Sequence, residues 1–468
     1  MYAPSCSNIG VSVDRHRFVL VALAVAGLCG TELRAAGPLF TSSELRADLA
    51  QLDRALHEMP PDLAHSADVA QLERAIRDMD TALATSPPLD RDAAWRLFAT
   101  LNPLLADGHL FVGFVDWRAD TRAHLAAGGV LFPFEIRVAP DCRLTVRADL
   151  GGQISPLTDA HLMTVNGLGA NVVCERLLAR VHGDTRAFRA DLLSRRFFFY
   201  YWKVFGAPPS FELTIAGAPG TQRLPGSAQL PQLLDDETHF DRQFRLQFVG
   251  DDPVAILTLG TFAWPDKQQV LDFTRSAFGQ LRDQRIAKLI IDVRDNGGGN
   301  DDEWIEGVMP YLATRPFRTG SRYRKRVVVA DPQKHEAVAD VVDGPIDSWF
   351  SPDLRNPLRF KGTVWVATGT GTYSSAVVFS EVMQDFRFAR VAGPEGSVRA
   401  NLSGGARRTT LTHTGLIVVA PRFLITRPSG ARKPELFSPD ITLADSDPLS
   451  RLAGSGELEE IVVTSQRK

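Results

Sequence analysis

Beyond residue 30 the chain has no apolar run approaching the roughly 20 residues that a membrane-spanning helix needs. It also has no surplus of positive charge: 52 Lys and Arg stand against 55 Asp and Glu, a net charge of −3 over 468 residues. A field that would gather nucleic acid or anionic lipid is therefore missing. Cysteine is scarce, at four residues, and no Cys-x-x-Cys pair, His-Glu-x-x-His motif or acidic calcium loop occurs. No metal is expected on that basis, and since the glycine run at 297–299 has neither the Lys-Ser/Thr ending of a phosphate loop nor the spacing of a dinucleotide fingerprint, no cofactor is expected either. There is no internal repeat and no low-complexity tract. What is present is ordinary for a globular chain, 44% apolar and 23% charged residues, which excludes a wholly disordered or fibrous protein. At roughly 100–200 residues per domain the length suits about two to four domains.

The ends differ from the body. Arg15 and Arg17, partly offset by Asp14, precede an apolar core over 18–30, and the small residues Ala35 and Ala36 follow. Residues 1–36 thus read as a signal peptide, with a short membrane anchor as the alternative that a core well under about 20 residues disfavours, and the mature chain is expected in the periplasm or outside the cell. Removal of that segment takes Cys6 and Cys29 with it. Cys142 and Cys174 remain, either as a disulfide in an oxidising compartment or as two separate buried thiols. At the other end Gly454-Ser455-Gly456 sets off residues 457–468 (ELEEIVVTSQRK) as a flexible tail. The tail is also similar to the box by which outer-membrane transporters engage TonB, and could add as a strand to a partner's sheet edge.

Between these ends three patterns follow one another. Residues 41–112 read as a small helical domain. Leu45, Leu49, Leu52, Leu56 and Met59 form one stripe, and Val69, Leu72, Ile76, Met79 and Leu83 a second. A third helix begins at the cap Asp90 and carries Ala94, Leu97, Leu101 and Leu104. Residues 130–226 alternate as short strands, at 134–138 and 144–148 about a Pro140-Asp141 turn, then at 162–167 and 210–215, with a helix over 172–181. In residues 240–445 largely apolar strands at 254–259, 289–293, 363–367 and 389–392 are separated by helices at 268–284, 304–312 and 374–386. That arrangement is expected of an α/β core with a parallel sheet covered on both faces. The basic run Arg322–Arg326 reads as a solvated loop, and Asn300-Asp301-Asp302-Glu303 as a helix cap.

Two strand-to-helix junctions can carry chemistry. At Asp292-Val293-Arg294-Asp295-Asn296-Gly297-Gly298-Gly299 the glycines let backbone N–H groups approach a ligand, or simply make a tight turn. At Thr370-Gly371-Thr372-Tyr373-Ser374-Ser375-Ala376 a serine stands where a strand turns into a helix. It is either a helix cap or a nucleophile beside amides able to hold an oxyanion.

Together these segments resemble the C-terminal-processing (tail-specific) serine peptidase family, whose strand reads Asp-apolar-Arg-x-Asn-Gly-Gly, as in residues 292–298. About eighty residues later comes the nucleophile segment, matched by 372–376, then Met383-Gln384-Asp385 and Pro439-Asp440-Ile441. The resemblance implies a ClpP/crotonase-like βαβ spiral core, a PDZ-like domain over 130–226 and a helical N-terminal domain. It further implies Ser374 as nucleophile, with the Gly298 and Ser375 amides as oxyanion hole. Many members use a Lys about 25 residues past the serine as base, but here that place is Arg399, which cannot give up its proton. The tricorn-like branch takes a His from an Asp-Gly-His element, matched by Asp107-Gly108-His109, so His109 is the expected base. Glu435 is the nearest match to the carboxylate that would orient it, although four residues before Pro439 rather than six; Asp440 and Asp107 are in reserve. The expected activity is peptide-bond cleavage through an acyl-enzyme by an exported serine peptidase, with a peptide or protein as partner. The alternative is a non-catalytic relative that binds peptides or small apolar ligands in the same cleft.

Overall fold

The structure, a computed structural model, describes residues 37–443 and 448–453. Residues 1–36 and 454–468, the expected signal peptide and tail, lie outside the described residues. Thr41 opens the first helix, Ser42–Glu58, with a capping box: its hydroxyl accepts from Glu44 N–H while the Glu44 carboxylate accepts from Thr41 N–H. Asp68 and Asp90 cap Val69–Leu83 and Arg91–Phe98. The leucine stripes of the first two helices are buried against one another as their spacing requires. The third helix is interrupted. After Phe98 the chain passes through a 3-10 turn, Ala99–Leu101, and one α-turn, Asn102–Leu105, with Pro103 in its first turn. It ends at Ala106, whose left-handed backbone (φ 36°) breaks the helix and releases the segment carrying His109. That segment runs at once into the strand Phe111–Gly113, which pairs antiparallel with Ile417–Ala420, more than 300 residues away.

The middle region contains the hairpin Phe134–Val138 with Leu144–Asp149 and a second sheet built on Leu162–Val165, Ser210–Ile215 and Thr221–Pro225. Between these strands are the helix Ala170–Leu178 and two helices the periodicity does not reveal, Arg186–Arg195 and Phe197–Phe205. The second of these (FFFYYWKVF) is apolar nearly all round, so it has no stripe to read and most of it is buried. Cys142 and Cys174 are joined by a disulfide, 32 positions apart. On the chain-entropy account a loop of that size contributes roughly 3.5 kcal/mol. Urea unfolding of a Cys142→Ser, Cys174→Ser variant should lose a stability of that order.

The core is a six-stranded sheet in the order Ile441–Thr442, Arg390–Gly393, Thr363–Ala367, Lys288–Asp292, Val254–Leu259, Phe244–Phe248. All neighbours are parallel except the last pair. Leu289, Ile290 and Ile291 are fully buried, as in a strand covered on both faces. Asn300 caps the helix Asp301–Gly307. Arg322–Arg326 is not a loop: it is an inner strand of an antiparallel sheet, between Val341–Pro345 and Phe423–Thr426, with Leu402–Gly404 beyond. Its pairing partners supply the main-chain bonds, while Arg326 satisfies the Ala339 and Pro60 carbonyls with its guanidinium. One apolar cluster runs from Phe40 to Phe437, and a second, separate one gathers Val254, Ile290, Trp365 and Ile441. Among the described residues no helix is long and apolar enough to cross a membrane.

Candidate active site

Both junctions lie where parallel strands end, Lys288–Asp292 in one case and Thr363–Ala367 in the other. These strands are neighbours in register, Asp292 opposite Ala367, so their following loops must meet. Tyr373 N–H donates to the Asn296 carbonyl (3.0 Å), and Thr372 Oγ1 donates to the Val293 carbonyl (2.7 Å). Ser374 sits at the N-cap of the helix Ser375–Asp385 with φ 52° and ψ −126°. A non-glycine residue in that region is strained, and the strain lifts its hydroxyl out of the turn. The helix behind it is buried along nearly its whole length, which holds the strained residue in place.

Ser374 and Ser375 point different ways. The Ser375 hydroxyl donates to Asp301 and accepts from Trp304 Nε1 at 3.0 Å. The Ser374 hydroxyl faces His109, whose Nε2 is 3.1 Å away. On the other side of the ring, His109 Nδ1 is 3.1 Å from Ser403 Oγ, and Ser403 Oγ donates to Asp107 Oδ1 at 2.8 Å. The tautomer follows. Ser403 has one proton and gives it to the carboxylate, so toward His109 it can only accept. His109 therefore carries its proton on Nδ1 and presents a bare Nε2 to Ser374. Asp107 also accepts from His109 N–H (2.7 Å) and from Ser66 Oγ (2.7 Å), which fixes it beneath the ring. With a side chain only 18% exposed, His109 has its pKa lowered by burial, against which the Asp107 charge acts. A neutral imidazole at pH 7 is the result.

The remaining expected residues fare differently. Glu435 is not brought to His109: its side chain is 75% exposed and pairs with Lys433. The four-residue spacing puts it on a polar turn, while its carbonyl accepts from Ala400 N–H. Asp440 accepts from Val391 N–H and Gln384 Nε2, a structural task at the sheet end. Asp107, joined to His109 through Ser403, is the carboxylate nearest the ring. The Arg399 guanidinium donates to the Ala106 carbonyl, with Asp184 3.9 Å away.

Gly298 lies against Ser374: a Cβ on it would be 2.7 Å from Ser374 Cβ and 2.9 Å from Ser375 N. Its N–H, however, donates to Asn296 Oδ1 at 2.8 Å, and Asn296 is itself held by a bond from Nδ2 to the Leu259 carbonyl. That amide must be shared or released before it can serve an oxyanion. Ser375 N–H, first in its helix, has no backbone acceptor among the described residues. Ser403, Tyr373 and Asp184 were not anticipated. Ser403 and Asp184 belong to no motif, and only folding brings them to the site. Among the described residues no group of three or more His, Cys, Asp and Glu could hold a metal.

Residues 253–443 match the model of peptidase family S41. Among solved structures, mature CPAF aligns over 86% of this chain and 93% of its own, at 16% identity and a TM-score of 0.59. Mature CPAF complexed with lactacystin aligns over 86% and 94%, at 14% identity and a TM-score of 0.60. At such identities the likeness is one of fold. No curated protein matches the chain.

Proposed function

We propose that this chain, whose core is that of a tail-specific serine peptidase of family S41, is exported and hydrolyses peptide bonds with Ser374 as nucleophile and His109 as general base. The carrying observation is the 3.1 Å approach of His109 Nε2 to Ser374 Oγ with the opposite nitrogen facing Ser403. Ser374 Oγ attacks the scissile carbonyl carbon as its proton passes to Nε2. The imidazolium so formed keeps Nδ1–H on Ser403 and lies 4.0 Å from Asp107. The negative oxygen turns toward the Ser375 and Gly298 amides, the second freed from Asn296. Nε2–H is then delivered to the leaving amine, and water, deprotonated by the same nitrogen, clears the acyl group. The six-stranded sheet with its crossover helices supports a ClpP/crotonase-like core, and the strands over 130–226 support a PDZ-like domain that recruits a chain end. The Cys142–Cys174 bridge supports an oxidising destination, the periplasm or beyond. Contact of the tail with a TonB-like partner rests on the sequence alone.

Purified wild-type protein given an unfolded protein substrate should release new amino termini, and Ser374→Ala should release none. Equal cleavage by the two would defeat the assignment. A folded, wholly inactive wild type would instead favour the binding protein, a reading for which the engaged Gly298 amide speaks. The expected pH dependence follows from His109. Only the neutral ring accepts a proton, and burial holds its pKa under 6.5. So kcat/KM should be level near neutrality and fall as pH drops, with its midpoint below 6.5. Asp107→Asn, which removes the charge favouring the imidazolium, should move that midpoint lower still. A midpoint above 7 would contradict the assignment.

A further inference from the structure

Asp184 belongs to none of the motifs. It lies in the middle region, immediately before Thr185, which caps the helix Arg186–Arg195. Its buried carboxylate is a meeting point of three distant segments. Oδ1 accepts from Gly108 N–H (3.0 Å) and from Tyr373 Oη–H (2.9 Å), and Oδ2 accepts from Arg399 N–H (2.9 Å). Gly108 precedes the base and Tyr373 precedes the nucleophile.

We propose that Asp184 is a positioning residue that sets the His109–Ser374 alignment by holding, in one carboxylate, the residue before each of them. The proposal rests on the peptidase reading above. The contact is close enough to dictate residue type: a Cβ on Gly108 would lie 2.5–2.7 Å from Tyr373 ring and hydroxyl atoms. Gly108 N–H is also shared with Tyr373 Oη at 2.9 Å. The tyrosine ring packs on Phe188 of the following helix, centroids 4.7 Å apart, and on His109, 5.0 Å apart. Thr185 Oγ1 ties the same loop to the Ser397 carbonyl at 2.6 Å. A shift of Asp184 would therefore move the Gly108 and Tyr373 main chain relative to each other. A displacement of about 1 Å in such a pair can cost about 100-fold in rate.

The groups facing Asp184 are Asp107, Tyr373 and Arg399. Burial, then the Asp107 charge, pushes the Asp184 carboxyl up to about 6, with Arg399 opposing. Below that pH the carboxyl takes up a proton, its three bonds weaken, and the clamp loosens. The acid limb of the rate profile should thus contain Asp184 in addition to His109, and its slope on a logarithmic plot should approach two.

The experiment compares kcat, KM and the pH profile of wild type, Asp184→Asn and Tyr373→Phe on one peptide substrate. In Asp184→Asn the carboxamide oxygen can still face Gly108 and Tyr373, but its NH2 opposes Arg399 N–H. We expect kcat to fall about 10- to 100-fold with KM little changed, and the acid limb to return to a slope of one. Tyr373→Phe keeps the ring packing and removes only the hydroxyl; kcat should fall about tenfold. If Asp184→Asn fails to fold, Tyr373→Phe decides. Variants with wild-type kcat and an unchanged acid limb overturn the clamp alone. An inactive wild type overturns the peptidase reading, and the clamp with it.

Discussion

His109→Ala should lower kcat by about four orders of magnitude while KM stays within a few-fold. Among the described residues the ring's hydrogen bonds go to Ser374 and Ser403, with Asp107 4.0 Å away, and its flank packs on Tyr373, so its loss removes proton transfer rather than a substrate contact. No other described imidazole is hydrogen-bonded to Ser374. His182 is stacked on Phe111 with ring centroids 3.9 Å apart, and burial pushes its pKa well down. The helix caps and the Phe111–Gly113 pairing do not depend on the imidazole, so the variant should fold. Steady-state kinetics beside a thermal melt would check both halves. A loss under tenfold would mean that another group takes the proton.

Gly298→Ala should be nearly as severe, and for a different reason. Gly298 has φ 100°, a region costly for any residue with a Cβ. The added methyl would also meet Ser374 Cβ at 2.7 Å, the Tyr373 carbonyl at 2.8 Å and Ser375 N at 2.9 Å. Two of these three are backbone atoms and cannot swing aside. The glycine loop and the nucleophile turn must separate, carrying an oxyanion donor with them. A loss of about 100- to 1,000-fold in kcat is expected, together with a lower melting temperature. Gly297→Ala is the control. That glycine has no positive φ, and no atom within 4 Å of an added Cβ, so rate and melting temperature should stay near wild type. Equal behaviour of the two alanine variants would show that the loops do not meet as described.

What the sequence reveals here depends on how local the cause is. Asp90 is legible as a helix cap because its side chain needs to reach only three residues ahead, to Ala93 N–H. The apolar strands at 289–293 and 363–367 declare a covered sheet by their own composition. A strand, glycines and a serine in a fixed order leave the turn at Ser374 open between a helix cap and a nucleophile, and only the family resemblance favours the second. By contrast, Arg322–Arg326 becomes a strand only because Val341–Pro345 and Phe423–Thr426 flank it, and nothing in five mostly basic residues announces those partners. Glu435 was chosen by spacing from Pro439, a measure that ignores which way a turn points its side chain. The carboxylate nearest the ring is Asp107, two residues before His109, reached through a hydroxyl at Ser403 almost 300 positions later. Asp184 shows the same limit: its three partners are 76, 189 and 215 positions away.

The most direct test is to treat the folded protein with a fluorophosphonate and locate the adduct by mass spectrometry across a range of pH. The account predicts a single adduct on Ser374, absent in Ser374→Ala, present in Ser375→Ala and strongly slowed in His109→Ala. Its rate should titrate with a midpoint below 6.5. An adduct on another residue, or none from well-folded protein, would contradict it.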